Sequence, residues 1–165
     1  MHYLVNFEPF VFIAFILLFS FSVTLLFSQP YLMNGDDNLI QTCGSFLLDD
    51  GGGTQGYSPN QNITLTICSD GSEGTHTQLI FSGTEIAPGD DLCFFDGTNP
   101  SAPSLGCASD FNGGSAFIIQ ATAANLSGCV TLVFSSNASG EGAGWSADIN
   151  CVPSCQLIEA VLVSS

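Results

Sequence analysis

No lysine and no arginine occur in this chain of 165 residues, and its 15 aspartates and glutamates give a formal charge of -15. A carboxylate here can pair only with a histidine or the terminal amine. Each one must otherwise stay solvated, bind a proton or hold a metal cation. The constraint is sharpest in LIFSGTEIAPGDDLCFFDG, residues 79–97, where Glu85, Asp90, Asp91 and Asp96 stand among apolar side chains. The same imbalance excludes nucleic acid as a partner, because nothing in the chain can neutralise phosphates.

Charged residues make up 9% of the chain, far fewer than in a disordered acidic tail, and glycine, serine, threonine and asparagine separate short apolar runs. That is the composition of a β-rich globular domain. The apolar run VFIAFILLFSFSVTLLF, residues 11–27, followed by the polar SQPYLMNGDD, reads as a secretory signal peptide spanning residues 1–28 and cleaved after Ser28. Its leading segment is unusual, with His2 and the terminal amine as its positive groups and Glu8 among them. A membrane anchor is the alternative for a run of this length. After cleavage no membrane segment is expected, and the protein is secreted or held at the cell surface.

Export accounts for the seven cysteines, at positions 43, 68, 93, 107, 129, 151 and 155. In an oxidising compartment most of them pair, and the odd count leaves one over. Cys155 is the expected orphan, because CQLIEAVLVSS begins a new alternating segment after the last strand-like run. Residues 29–40 read as a linker, 41–151 as one domain, and 152–165 as a linker and the start of a following domain cut off at Ser165.

Within 41–151, runs rich in β-branched and aromatic residues recur between turn clusters: 63–68, 77–83, 91–97, 116–122, 129–136 and 144–151. None has helical length and period, so the pattern is that of an antiparallel sandwich or barrel. In DDLCFFDG, alternation places Asp90, Leu92, Phe94 and Asp96 on one face and Asp91, Cys93 and Phe95 on the other. Apolar residues on both faces predict a strand inside the sheet.

Catalytic material is thin. The segment after residue 28 holds one histidine, His76 in GTHTQ, whose flanks read as an exposed turn leading into a strand. There is no HExxH or GxSxG, and no lysine for a phosphate loop or Schiff base. A carboxylate pair can hydrolyse glycosides, but a domain of this size offers little cleft. DDGGGTQG lacks the alternating oxygen ligands of an EF-hand and reads as a turn. The sequons at Asn62, Asn125 and Asn137 matter only where a eukaryotic glycosylation system acts. Trp145, in strand alternation, is expected in the core.

Four segments together resemble the CUB domains, and in particular the CUB-like modules of secreted Bacteroidetes proteins: TCGSFLLDDGGGTQGYS, LIFSGTEIAPGDDLCFFDG, SLGCAS and LVFSSNASGEGAGWSADINC. The last is the most specific, with Phe134, Gly144, Trp145, Ala147 and Ile149 in order. The resemblance implies an all-β jelly-roll β-sandwich that binds other macromolecules with the help of calcium. Its ligand positions fall on Glu85, Asp90 and Asn137, and Tyr57 matches the tyrosine that supports such a site. Asn137 stands where the family has an aspartate, so one ligand brings an oxygen without a charge.

The residues also point to calcium independently, since hard cations take oxygen ligands and Glu85, Asp90, Asp91 and Asp96 have no protein cation to balance them. Solvated turn acids are the competing reading. Three bridges are expected, Cys43 to Cys68, Cys93 to Cys107 and Cys129 to Cys151. Each closes a local loop, and the first two follow the pairing of the resembled family. The functional expectation is a non-enzymatic, calcium-assisted module recognising extracellular protein or glycan partners that carry basic groups. Alternatives are an accessory domain of a secreted hydrolase or a structural adhesin spacer.

Overall fold

Alternation of apolar and polar residues turns the short runs into strands, because successive side chains of a strand point to opposite faces and one face can be buried. The computed structural model describes residues 29–111 and 116–154. The expected signal peptide, its cleavage site and Cys155 lie outside these residues. The strands are β1 (Tyr31–Met33), β2 (Leu39–Gln41), β3 (Ser45–Asp49), β4 (Asn62–Cys68), β5 (His76–Glu85), β6 (Asp91–Phe95), β7 (Ser104–Cys107), β8 (Phe117–Gln120), β9 (Val130–Ser135) and β10 (Gly144–Val152). A 3₁₀ turn, Ala108–Phe111, follows β7.

Two five-stranded sheets form a β-sandwich, one in the order β1-β3-β10-β5-β8 and the other in the order β2-β4-β9-β6-β7. All neighbours are antiparallel except the edge pairs β1 with β3 and β2 with β4, which are parallel. Residues 29–40, expected as a linker, thus contribute β1 and the start of β2. Each of these strands spans three residues and buries one side chain, Met33 or Ile40. One buried residue per strand is too short a pattern for alternation to register in the sequence.

The two sheets meet through aromatic rings. Phe81 of β5 packs edge-on against Phe94 of β6 at 5.4 Å, and Trp145 of β10 against Phe134 of β9 at 4.7 Å. Burying such a side chain is worth roughly 1.5–3 kcal/mol. Leu92 and Phe94 of β6 are fully buried while Cys93 and Phe95 lie on the opposite face, and β6 runs between β9 and β7. The interior position expected from its two apolar faces is the one it occupies. Trp145 is in the core as expected.

The bridge between Cys93 and Cys107 forms as expected, but the other two do not. Cys43 joins Cys151 and Cys68 joins Cys129, in place of Cys43 with Cys68 and Cys129 with Cys151. Register explains the exchange. Cys68 and Cys129 stand one residue beyond the Ile67–Val130 pair of β4 and β9, and Cys43 and Cys151 two residues beyond the Ser45–Ile149 pair of β3 and β10. Cys93 and Cys107 are themselves a cross-strand pair. Every bridge therefore lies within, or one or two residues beyond, the register of an adjacent antiparallel strand pair in one sheet. The expected pairing rested on local loop closure and, for its first two bridges, on the resembled family, neither of which carries the strand register.

His76 also departs from expectation. It is the first residue of β5, opposite Val152 of β10, and is 6% exposed, with ring Nδ1 2.9 Å from the Thr75 hydroxyl. The turn ends one residue earlier than its flanks suggest.

Candidate functional site

Of the acids singled out from the sequence, Asp90 lies in the β5–β6 connection, Glu85 and Asp91 flank it, and Asp96 follows β6. The turn of this connection closes when Asp90 N–H donates to the Ala87 carbonyl at 3.1 Å, with Gly89 at φ +95°. Positive φ there suits a residue without a β-carbon. The turn leaves the Asp90 carboxylate 8% exposed. Its Oδ2 accepts from the Tyr57 hydroxyl at 2.7 Å, and its Oδ1 accepts from the Asn137 backbone N–H at 2.7 Å. The Tyr57 hydroxyl in turn accepts from Ala87 N–H at 2.8 Å. Three segments distant in sequence are thus tied to one carboxylate.

Tyr57 can serve as this tie because its ring is fixed in the core. It is 2% exposed and packs edge-on against Phe134 at 4.9 Å and obliquely against Trp145 at 6.1 Å. Burial pushes its hydroxyl above the ordinary range, so it stays protonated and donates to Asp90. Asn137 follows β9 on the exposed side of this knot, and its Oδ1 accepts from Ser139 N–H at 2.9 Å. Glu85, the exposed last residue of β5, has no side-chain hydrogen bond among the described residues. The structure therefore joins Asp90, Asn137 and Tyr57 directly, and no hydrogen bond links Glu85 to them.

The other acids show how carboxylates are met without cations. Asp96 Oδ1 accepts from Thr122 N–H at 3.0 Å and Asn125 Nδ2 at 2.8 Å, and its Oδ2 from the Thr122 hydroxyl at 2.5 Å. Asp91 Oδ2 accepts from the Ser109 hydroxyl at 2.7 Å. Neutral donors placed by turns thus hold these charges. Asp91, Cys93 and Cys107 bring their ligand atoms within 4.8 Å of one another, but the two cysteines are bonded to each other and offer no thiolate.

Asp49, at the end of β3, was not singled out in the sequence. It is 1% exposed, accepts from Gly51 N–H at 2.8 Å through Oδ1 and from Trp145 N–H at 3.0 Å through Oδ2. Burial pushes its carboxyl above the ordinary range, opposed by these hydrogen bonds. The aspartate pair ahead of a glycine run, Asp49 and Asp50, is the available signal. A groove of about 740 Å³ opens beside it, bordered by Leu48, Gly83, Glu85 and Ser146 among others. A smaller cavity of about 190 Å³ adjoins Asp90, Asp91 and Ser109.

No protein-family model and no curated protein matches the chain. Solved structures do. The MASP-1 CUB2 domain, in a crystal structure with bound Ca2+, is similar at a TM-score of 0.50 and 18% identity, over 69% of this chain and 97% of that one. The fold is CUB-like. The CUB1-EGF-CUB2 segment of human MASP-1/3 aligns at 22% identity and a TM-score of 0.49, where 69% of this chain spans 41% of that one. In the CUB-like sandwich described here, Tyr57, Asp90 and Asn137 cluster at one end of the core, where the β5–β6 turn meets the segment after β9.

Proposed function

We propose that this protein is a secreted or cell-surface, non-catalytic binding module of CUB type, in which Glu85, Asp90 and Asn137 hold calcium and recognition is of an extracellular protein or glycan bearing basic groups. The observation that carries the reading is Asp90, a carboxylate 8% exposed in a chain without lysine or arginine, aligned by Tyr57 and Asn137. Two carboxylates and an amide oxygen would make a donor set that suits a hard cation. Each Asp90 oxygen accepts one protein donor and keeps a lone pair for a further partner. The solved CUB2 domain of the same fold binds Ca2+. Three disulfides suit an oxidising, extracellular setting.

Bound calcium would supply fixed positive charge that holds the acidic loops in one arrangement. The remaining negative field of the chain then steers a cationic partner during approach. The test is thermal melting with calcium and with chelator at equal ionic strength. Calcium should raise the melting temperature of the native chain. Asp90→Asn should abolish that rise, and Asn137→Asp should enlarge it by adding a charge. Absence of any rise at about millimolar calcium, the range of extracellular sites, would leave Asp90 held by neutral donors alone. Partner binding is then compared in the same two conditions on immobilised extracellular proteins and glycans. Equal binding in both would remove calcium from recognition.

A further inference from the structure

The outward face of the β1-β3-β10-β5-β8 sheet carries a second feature, on other residues than the proposed calcium site. Asp148 of β10 lies opposite Phe46 of β3 on one side and Ile80 of β5 on the other, and Ile80 lies opposite Ile118 of β8. These four side chains form one row across four strands. Phe46 is 51% and Ile118 57% exposed, so the row faces away from the core. In the next row Leu32, 37% exposed, lies opposite Leu48, and Leu48 opposite Ser146. That row continues to Gly83 and into the groove of about 740 Å³, where a β-carbon on Gly83 would meet nothing within 4 Å. Among the described residues five large apolar side chains are exposed, and three of them, Leu32, Phe46 and Ile118, share this one face. Such concentration on a sheet face marks an interaction surface rather than scattered exposure.

Asp148 decides what can cover it. Its carboxylate is exposed in the middle of the apolar row, with no side-chain hydrogen bond among the described residues. An apolar cover would bury that charge without compensation, which is strongly unfavourable. Neither another segment of this chain nor a second copy has a lysine or arginine to offer it. A partner with a cation flanked by apolar side chains satisfies both halves of the surface. We infer that this face docks an extended segment of another protein carrying a lysine or arginine between apolar residues, with the cation on Asp148 and the apolar side chains on Phe46 and Ile118.

The probe is a labelled synthetic peptide in which leucine, arginine and leucine alternate with serines, so that all three project from one side of an extended chain. Binding to the full chain is measured by fluorescence anisotropy with chelator present, which separates this surface from the calcium reading. Saturable binding is expected, weakened about tenfold or more by Asp148→Asn and by Phe46→Ser or Ile118→Ser. Asp70→Asn, an exposed acid elsewhere, should leave it unchanged. The peptide with glutamate for arginine, or with serine for both leucines, should not bind. Unchanged melting temperatures for Phe46→Ser and Ile118→Ser would show that these variants fold. Three results overturn the inference: no saturable binding, equal weakening by Asp70→Asn and Asp148→Asn, or self-association of the chain that Phe46→Ser abolishes.

Discussion

Gly144 leaves the space that the Asp49 carboxylate occupies: a β-carbon on Gly144 would stand 1.7 Å from Asp49 Oδ2. Gly144 also sits at φ +88°, at the start of β10, where Trp145 N–H donates to that same oxygen. The absent side chain, the left-handed backbone and the buried acceptor form one device that starts the central strand of its sheet. Asp49→Ala should therefore destabilise the domain by about 1–3 kcal/mol, because it leaves the buried Trp145 N–H without an acceptor. Gly144→Ala should cost at least as much, since it displaces the carboxylate and adds roughly 1–2 kcal/mol of backbone strain. Urea denaturation of both variants measures this, and a change below experimental error in either would refute the coupling.

The same carboxyl predicts a pH dependence. Burial raises its pKa in the folded state above the ordinary value of 3.8. Between those two values the folded chain holds the proton that the unfolded chain has released. The Asp49 contribution to stability is therefore full at lower pH and declines as pH rises through the raised value. Asp49→Asn removes this titration. Stability curves of native chain and variant, collected from about pH 4 to about pH 7, should converge in slope only at the upper end. Parallel curves throughout would show that Asp49 ionises as it does in the unfolded chain.

Tyr57→Phe preserves the ring that packs on Phe134 and Trp145 but deletes the hydroxyl that donates to Asp90 and accepts from Ala87 N–H. A loss of about 1–3 kcal/mol is expected, since two buried groups lose a partner. Hydrogen exchange locates the effect, with amides of residues 86–90 and 137–139 exchanging faster and those of β4 unchanged. Uniform acceleration across the sandwich would mean that the hydroxyl supports the whole core rather than the turn.

Non-reducing peptide mapping should recover Cys43 with Cys151, Cys68 with Cys129 and Cys93 with Cys107. The Cys43–Cys151 bridge spans a sequence separation of 108 and the Cys93–Cys107 bridge one of 14. By loop-closure entropy, removing the first with paired alanines should cost about 5 kcal/mol and the second about 3 kcal/mol. Equal losses would show that the bridges act through native contacts rather than through the unfolded chain.

Much of the fold is legible in local pattern. Alternation marks β4, β5, β6, β8, β9 and β10, because a strand with one buried face writes a period of two into four or more residues. The apolar content of both faces of DLCFFDG places β6 inside its sheet. Asp90 stands out because a chain without lysine or arginine has no cation to set against it. Less is legible where the pattern is short or the partner distant. β1 and β2 bury one residue each, and His76 reads as exposed because its cover, including the backbone of Gly128 and the opposing Val152, arrives from elsewhere in the chain. Tyr57 matches a motif, but its hydrogen bond to Asp90 spans 33 residues.

Composition and local alternation were enough to establish an all-β domain and a set of carboxylates without protein cations, because these follow from residue chemistry and the period of the strand. Disulfide pairing, the donors that meet each carboxylate and the exposed row around Asp148 arise only when distant strands align. Register is a property of two strands at once, set by how both faces pack, and a shift of one residue would move every side chain to the other face. Cys68 meets Cys129, and Asp148 faces Phe46 and Ile80, for that reason.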